Sequence, residues 1–257
     1  MTARIALVTG AARGIGRGIA LQLALDGLDV AVNDTASNRV ALDSVVSEIE
    51  ATGRRGLALT ADVSDEGQVK DMVAGVVKEL GGLDVMVANA GISELSSILN
   101  ISLESYERTF SVNVRGVLLC YKYAAKQMVE QGRGGRIIGA SSIGGLQAHS
   151  TLLAYCASKF AVRGLTQSSA LELAKHGITV NAYAPGAIDT PMFETFAAGP
   201  EEHPDKAENY TRFATGIPVG HVGEPNDIAH VVSFFASEKA GFVTGQTVSP
   251  NGGAFLT

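Results

Sequence analysis

Short apolar runs of strand length alternate with longer stretches of helical spacing along most of the chain. In residues 14–25, for example, Ile15, Ile19 and Leu23 recur at helical intervals. Ser64 is the predicted N-cap of a later helix that begins at residue 65. The pattern predicts strands over residues 5–8, 30–32, 57–60, 83–87, 136–139, 178–182 and 247–248, and helices over residues 14–25, 38–51, 65–80, 103–128, 152–174 and 225–236.

This alternation predicts an α/β fold, in which a doubly wound parallel sheet carries helices on both faces. The strands are nearly continuous apolar runs, as expected where both faces of a sheet are buried. No shift in composition and no repeat divides the chain, so residues 1–257 are predicted to form a single Rossmann-type domain. The irregular stretch over residues 187–222 is predicted to be a lid excursion, because long loops in compact domains are usually functional or disordered.

Composition and charge argue against several classes of function. The net charge is −6 and the charged residues are dispersed without a basic stripe, so nucleic-acid binding is not expected. No apolar window approaches the length of about 18 residues that a membrane span needs. The N-terminal stretch is interrupted by Gly10 too early for a signal peptide, so a cytoplasmic location is expected. Cys120 and Cys156 form no CxxC or Cys/His cluster, and no metal site is expected.

A glycine-rich loop joins the first predicted strand to the first predicted helix. Gly10, Gly14 and Gly16 let the chain turn tightly and bring backbone N–H groups close to a pyrophosphate at the helix N-terminus. A glycine triplet alone also fits an ordinary tight turn. Its position between a strand and a helix near the N-terminus favours a dinucleotide site.

Asp34 follows the second predicted strand, where a carboxylate would bind the adenosine ribose hydroxyls. A carboxylate there would repel a 2′-phosphate, which favours NAD. Arg13, inside the glycine loop, could instead meet a 2′-phosphate, so NADP remains the alternative. Asp34 carries more weight, because a partly buried carboxylate beside a phosphate is energetically costly.

Tyr155 and Lys159 have the i, i+4 spacing that places two side chains on one face of a helix. Free tyrosine has a pKa of about 10, and a nearby ammonium is expected to lower the pKa of the Tyr155 phenol. A phenol tuned in this way can give or take a proton at a substrate oxygen. Ser142, which follows the fifth predicted strand, can hydrogen-bond the same oxygen.

Taken together, these motifs resemble the short-chain dehydrogenase/reductase family over essentially the whole chain. They are the loop at residues 9–16, Asn89-Ala90-Gly91, Asn113, Ser142, Tyr155 with Lys159, and Pro185-Gly186. The resemblance implies a Rossmann-type fold, usually tetrameric, that acts on a small-molecule carbonyl or alcohol. It implies that Tyr155 is the proton donor or acceptor, that Lys159 binds the nicotinamide ribose, that Ser142 orients the substrate, and that Asn113 holds a water linked to Lys159.

The resemblance also assigns the remaining site residues. Cofactor contacts are implied for Gly10, Arg13, Gly14, Ile15, Gly16, Asp34, Asp62, Val63, Asn89, Ala90, Gly91, Tyr155, Lys159, Pro185, Gly186, Ile188, Thr190 and Met192, and substrate contacts for Ser142, Gln147, Tyr155, Gly186 and Phe193. His149 is a further candidate for the substrate pocket, whereas Cys156 is not expected to be a catalytic thiol.

Residues 159–167 and 179–186 are similar to the acetoin (diacetyl) reductase and 2,3-butanediol dehydrogenase branch of the family. Phe193 departs from that branch, which often has Trp at this position. The sequence therefore favours an NAD-dependent enzyme for a vicinal diketone, hydroxyketone or diol. The alternatives are an NADP-preferring carbonyl or polyol reductase and a catalytically silent dinucleotide-binding sensor.

Overall fold

The computed structural model describes residues 3–197 and 214–256. Within these ranges, seven parallel strands form one sheet in the order β3-β2-β1-β4-β5-β6-β7. The strands are β1 (Ile5–Thr9), β2 (Asp29–Asp34), β3 (Gly56–Thr60), β4 (Val85–Ala88), β5 (Gly135–Ala140), β6 (Ile178–Tyr183) and β7 (Thr247–Val248). The predicted doubly wound parallel sheet is confirmed.

The helices that cover this sheet are α1 (Gly14–Leu25), α2 (Arg39–Ala51), α3 (Glu66–Leu80), α4 (Leu103–Phe110), α5 (Val117–Gln131), α6 (Leu153–Leu173), α7 (Pro191–Ala197) and α8 (Pro225–Ala236). Most bounds fall within two residues of the predicted ones. The predicted N-cap of α3 is wrong: Asp65, not Ser64, caps it, by accepting a hydrogen bond from the Gln68 N–H at 2.8 Å.

The long helix predicted over residues 103–128 is two helices. A π-helical stretch, Ser111–Gly116, separates α4 from α5. Gly116 packs tightly here, since a Cβ at this position would lie 2.8 Å from Val63 Cγ2. Short π-helical stretches often occur at functional sites, because they redirect one side chain out of the regular helical register. Here the stretch carries Asn113.

Apolar side chains fill both faces of the sheet. Helices α1, α2 and α8 bury residues such as Ile19, Leu42 and Phe235 on one face. Helices α3, α5 and α6 bury residues such as Val73 and Val162 on the other. Burial on both faces accounts for the unbroken apolar runs of the strands. No helix within the described residues is long and apolar enough to cross a membrane.

Because all the strands are parallel, the segments that follow them meet along one side of the sheet, here called the carboxyl edge. The order of the strands reverses between β1 and β4, and ligands of open α/β sheets bind at such a point. The lid excursion continues from the end of β6 and contains α7, and residues 198–213 of it lie outside the described residues. Phe193, Ile217 and Val222 of the excursion form a small apolar cluster of their own.

Candidate active site

The glycine loop lies at the carboxyl edge between β1 and α1. Gly10 has φ +63, and a Cβ there would lie 2.8 Å from Ala90 Cα. A Cβ on Gly16 would overlap the carbonyl oxygen of Gly10. Both positions therefore require glycine, one for its backbone conformation and one for close packing. Ile15 and the exposed Arg13 complete the predicted loop at the start of α1.

Asn89 joins the end of β4 to the glycine loop. Its Nδ2 donates to the carbonyl oxygens of Thr9 at 2.8 Å and Gly10 at 3.1 Å. In return, Thr9 Oγ1 accepts hydrogen bonds from the backbone N–H groups of Asn89 at 3.0 Å and Ala90 at 3.1 Å. The Asn89 side chain is thus committed to holding two neighbouring strand ends together, which the sequence motif alone did not reveal.

Asp34 ends β2 next to the glycine loop. Its carboxylate accepts hydrogen bonds from the backbone N–H groups of Ala12 at 3.2 Å and Thr35 at 2.8 Å, and from Asn38 Nδ2 at 2.8 Å. These donors hold the carboxylate beside the loop, at the position where the sequence predicts a ribose contact. Asp62 follows β3 in the same way, but its Oδ1 accepts from the backbone N–H and the hydroxyl of Ser64.

Asn113 is fully buried under Gly91. Its Oδ1 accepts from Ile92 N at 2.9 Å, and its Nδ2 donates to Ile92 O at 2.9 Å and to Ser158 Oγ at 3.1 Å. A Cβ on Gly91 would lie 3.3 Å from both Asn113 Oδ1 and Lys159 Nζ, so the two groups flank this glycine. Both amide hydrogens of Asn113 are occupied, and its association with a water stays a prediction.

Ser142, Tyr155 and Lys159 lie together at the end of β5 and the start of α6. All three are buried, and Ser142 and Tyr155 are hydrogen-bonded. Lys159 Nζ donates to Ala140 O at 2.9 Å and lies 5.5 Å from the centroid of the Tyr155 ring. Ser142 Oγ also accepts from the Gly144 N–H at 3.1 Å, which fixes the serine. The three side chains predicted as a group are therefore brought together.

The expected lowering of the Tyr155 pKa is wrong for the chain by itself. Burial raises the pKa of this phenol above its ordinary value, and the hydrogen bond with Ser142 opposes the rise only in part. Burial also lowers the pKa of the Lys159 ammonium to about 8. Both shifts have one cause, since a buried site disfavours the charged form of either group.

The segment that follows β6 runs along the carboxyl edge. Pro185 O accepts a hydrogen bond from Ile143 N at 3.0 Å, and a Cβ on Gly186 would lie 2.9 Å from Asn251 Cα. Thr190 reaches the glycine loop, since a Cβ on Gly14 would lie 3.3 Å from its Cγ2. The Ile188 side chain packs in the hydrophobic core, and its cofactor contact stays a prediction.

Helix α7 places an aromatic ring against Tyr155. The ring is Phe196, with its centroid 6.0 Å from that of Tyr155 at an interplanar angle of 62°. Phe193, the predicted substrate contact, is buried in the cluster with Ile217 and Val222. Met192, predicted to contact the cofactor, is half-buried on the same helix. The sequence reasoning missed Phe196, although its i, i+3 spacing from Phe193 was a usable signal.

Two polar residues that the sequence predicted for the substrate pocket are exposed, unlike the buried Ser142, Tyr155 and Lys159. Gln147 and His149 are both exposed on the segment between β5 and α6. His149 and the buried Cys156 line a surface groove together with Ser96 and Phe160. Nothing in these contacts ties His149 to the Tyr155 phenol.

The donor groups at the carboxyl edge fit a nicotinamide dinucleotide. Helix α1 begins without a side-chain cap. The N–H groups of its first turn are therefore free of a capping side chain and suited to a phosphate. The Asp34 carboxylate stands beside that loop, and the Lys159 ammonium stands on the other side of the β1–β4 reversal.

Comparison with known proteins connects this geometry to described relatives. A family model described as enoyl-(acyl carrier protein) reductase matches residues 10–254. A short-chain dehydrogenase/reductase of Armillaria gallica is 52% identical, covering 97% of this chain and 95% of that protein. An L-2,3-butanediol dehydrogenase of Corynebacterium glutamicum is 40% identical, covering 97% and 98%. The 3-oxoacyl-[acyl-carrier-protein] reductase FabG of Staphylococcus aureus is 43% identical, covering 98% of each.

Two solved structures share the fold over nearly the whole chain. Levodione reductase superposes with a TM-score of 0.92 at 33% identity, covering 97% of this chain and 96% of that one. Acetoin dehydrogenase YohF from Salmonella typhimurium superposes with a TM-score of 0.86 at 33% identity, covering 98% and 96%. The names of these relatives span several substrates.

Proposed function

The chain belongs to the short-chain dehydrogenase/reductase family, and from that premise we propose that it interconverts a small ketone and its alcohol with NAD(H). The proposed substrates are vicinal diketones, hydroxyketones or diols, such as diacetyl, acetoin and butanediol. Proteins of this family are oxidoreductases that act on CH–OH groups with NAD(P). The observation that carries the proposal is the buried cluster of Ser142, Tyr155 and Lys159 at the carboxyl edge.

Each of these side chains has a role in the proposal. The Tyr155 hydroxyl gives a proton to the substrate oxygen or takes one from it, while the Ser142 hydroxyl hydrogen-bonds the same oxygen. Lys159 binds the nicotinamide ribose, and Asn113 keeps a water in contact with Lys159. When bound, the dinucleotide supplies or accepts the hydride. The raised pKa of Tyr155 keeps the phenol protonated at neutral pH, which suits it to carbonyl reduction.

The cofactor preference rests on Asp34. Its carboxylate is held beside the glycine loop by hydrogen bonds from Ala12, Thr35 and Asn38. A fixed negative charge there binds ribose hydroxyls and repels a 2′-phosphate, so the proposed cofactor is NAD. NADP is the alternative, because the exposed Arg13 lies in the same loop.

The proposal of a small substrate rests on Phe196. Its ring stands beside the Tyr155 ring and narrows the space next to the phenol. The butanediol and acetoin dehydrogenases among the relatives support small substrates. The 43% identity with a 3-oxoacyl-[acyl-carrier-protein] reductase supports testing a 3-oxoacyl thioester as well.

We also propose that the single domain works as a cytoplasmic homotetramer and that the lid excursion covers the bound substrate. The large apolar side chains exposed on the surface, among them Phe234, Phe242 and Leu171, support assembly. Light scattering of the purified protein should give four times the mass of the chain, and a monomer mass would refute the tetramer.

A substrate panel tests the function. The purified protein is mixed with NADH or NADPH and with diacetyl, acetoin, a bulky ketone, a polyol precursor or a 3-oxoacyl thioester, and absorbance of the reduced cofactor is followed. The proposal predicts the highest kcat/KM for NADH with diacetyl or acetoin. A preference for NADPH with larger carbonyls would favour the alternative reductase. Binding of a dinucleotide without turnover of any substrate would favour the silent sensor.

A further inference from the structure

We propose that Tyr183 is a positioning residue of the dinucleotide site, because its hydroxyl fixes the Asn89 amide that holds the glycine loop. Tyr183 is the last residue of β6 and is fully buried in the hydrophobic core. Its hydroxyl donates to Asn89 Oδ1 at 2.8 Å. The inference rests on the proposed function, since it assigns a consequence for cofactor binding to a residue outside the cleft.

Hydrogen-bond chemistry determines which way the Asn89 amide faces. Its Nδ2 lies against two carbonyl oxygens, those of Thr9 and Gly10, which can only accept. Its Oδ1 therefore needs a donor, and the Tyr183 hydroxyl supplies it. Burial raises the pKa of Tyr183 well above its ordinary value, so the hydroxyl keeps its proton throughout the working pH range.

The link spans three strands of the sheet. Tyr183 pairs in register with Ala140 on β5, and Asn89 directly follows β4, the next strand across. Because the residue between them on β5 is an alanine, the tyrosine side chain can pass over β5 and reach Asn89. From Asn89 the contact continues to the carbonyl of Gly10 at the start of the glycine loop.

The loop has little freedom to absorb a movement of Asn89. A Cβ on Gly10 would lie 3.0 Å from Asn89 Nδ2, and one on Gly16 would lie 2.5 Å from the same atom. The amide thus packs against both glycines that shape the turn. Losing the Tyr183 hydroxyl leaves Asn89 Oδ1 as a partly buried acceptor without this donor, and the amide must tilt or rotate to recover a partner.

Tyr183→Phe removes one hydroxyl and keeps the ring. Tyr121→Phe is the matched control, because Tyr121 is also buried and its hydroxyl is 3.0 Å from Thr166 Oγ1, between α5 and α6 and away from the glycine loop. We expect Tyr183→Phe to raise the Kd for NADH about tenfold, as loss of one buried hydrogen-bond donor implies. Tyr121→Phe should bind NADH as the wild type does.

Three measurements distinguish a positioning role of Tyr183 from a general loss of protein stability. Titration calorimetry gives the Kd, steady-state rates give KM for NADH separately from kcat, and hydrogen exchange of the unliganded protein reports on residues 9–16. Tyr183→Phe should raise KM more than it lowers kcat and should speed exchange in the loop, whereas Tyr121→Phe should do neither. Asn89→Ala should reproduce the binding defect, and adding Tyr183→Phe to it should cause no further loss.

The outcomes separate this inference from the proposed function. If the wild type binds NADH and Tyr183→Phe matches it in Kd and loop exchange, the inference is wrong and the proposed function stands. Equal defects in Tyr183→Phe and Tyr121→Phe would also overturn it, because they would indicate lost stability. If the wild type binds neither NADH nor NADPH, the proposed function fails, while faster exchange of residues 9–16 in Tyr183→Phe would still support the link to the loop.

Discussion

The rings of Tyr155 and Phe196 lie 6.0 Å apart between centroids, and they belong to regions that are held in place in different ways. Around Tyr155, the polar side chains of the carboxyl edge are bonded to neighbouring strands and helices: Asn89 to Thr9, Asn113 to Ile92, and Lys159 to Ala140. Near Phe196, the side chains of the described lid excursion pack in the apolar cluster of Phe193, Ile217 and Val222, and only backbone hydrogen bonds join Ala187 and Asp189 to Gly223.

This difference teaches which property each region controls. A hydrogen bond has a defined partner and direction, so the carboxyl edge holds its reacting groups in one geometry. Apolar contact is not directional and tolerates changes of shape, so the lid excursion can accept a different substrate without disturbing the edge. We therefore propose that the carboxyl edge determines the type of reaction and that the lid excursion determines the choice of substrate.

The largest expected effect is that of Tyr155→Phe, which removes the proton-transferring hydroxyl and leaves the ring against Phe196. Loss of a general acid–base group should lower kcat by about 10²–10⁴-fold. Binding of NADH, measured by calorimetry, should stay largely intact, because the dinucleotide contacts of the glycine loop remain. Tyr121→Phe, which removes a different buried hydroxyl, should keep its kcat. A Tyr155→Phe variant with the wild-type kcat would show that the Tyr155 hydroxyl does not transfer the proton.

The second effect is a pH dependence of stability that comes from Lys159. Burial lowers the folded-state pKa of the Lys159 ammonium to about 8 from its ordinary value of 10.5, so the unfolded chain holds the proton more tightly. Stability should therefore rise between about pH 8 and pH 10, by up to roughly 1.4 kcal/mol per pH unit. Denaturant unfolding of the wild type and of Lys159→Met across this range checks it, since the variant should lack the rise. If the unfolding free energies of the two proteins changed with pH in the same way, burial would not lower the pKa of Lys159.

A smaller effect is expected from Asp34→Ala, which should change the cofactor preference and leave the substrate preference intact. Removing the carboxylate should shift the ratio of kcat/KM for NADH over NADPH by about 10–100-fold toward NADPH, the loss of one charged contact. Asp43→Ala is the control, because Asp43 is an exposed carboxylate paired with Arg39 on α2. An unchanged ratio in Asp34→Ala would move the cofactor preference to another residue.

The smallest effect is expected from Phe196→Ala, which tests the lid excursion. Loss of the ring should raise KM for diacetyl about tenfold. It should also raise kcat/KM for bulkier ketones relative to kcat/KM for diacetyl, because an apolar pocket selects substrates by size. Its control, Phe193→Ala, lies on the same helix but removes a buried ring, so it should lower stability by about 3–5 kcal/mol. If Phe193→Ala changed the size preference and Phe196→Ala did not, the two rings would have exchanged roles.

The carboxyl edge was largely predictable from the sequence, because strand ends, a glycine loop and the Tyr155–Lys159 spacing are local patterns. Parallel strands then bring those patterns together, as Ser142, Tyr155 and Lys159 show. The Tyr155 pKa was not predictable, since its direction depends on burial in the folded chain.

The lid excursion was much less predictable. Helix α7 is only seven residues long, and Phe193 and Phe196 share one side of it by their spacing. Which ring turns toward Tyr155 depends on Ile217 and Val222, which return from a distant part of the sequence. The hydrogen bond between Tyr183 and Asn89 was not predicted for the same reason, because it joins residues that are 94 positions apart.

The most direct test of the central claim uses NADH that carries deuterium at both hydrogen positions of nicotinamide C4, with diacetyl as substrate. The mass of the alcohol product is measured for the wild type and for Tyr155→Phe. We predict that the wild-type product carries one deuterium on the carbinol carbon and that the variant binds the labelled NADH but forms almost no product. An unlabelled product, or equal product from both proteins, would contradict the claim.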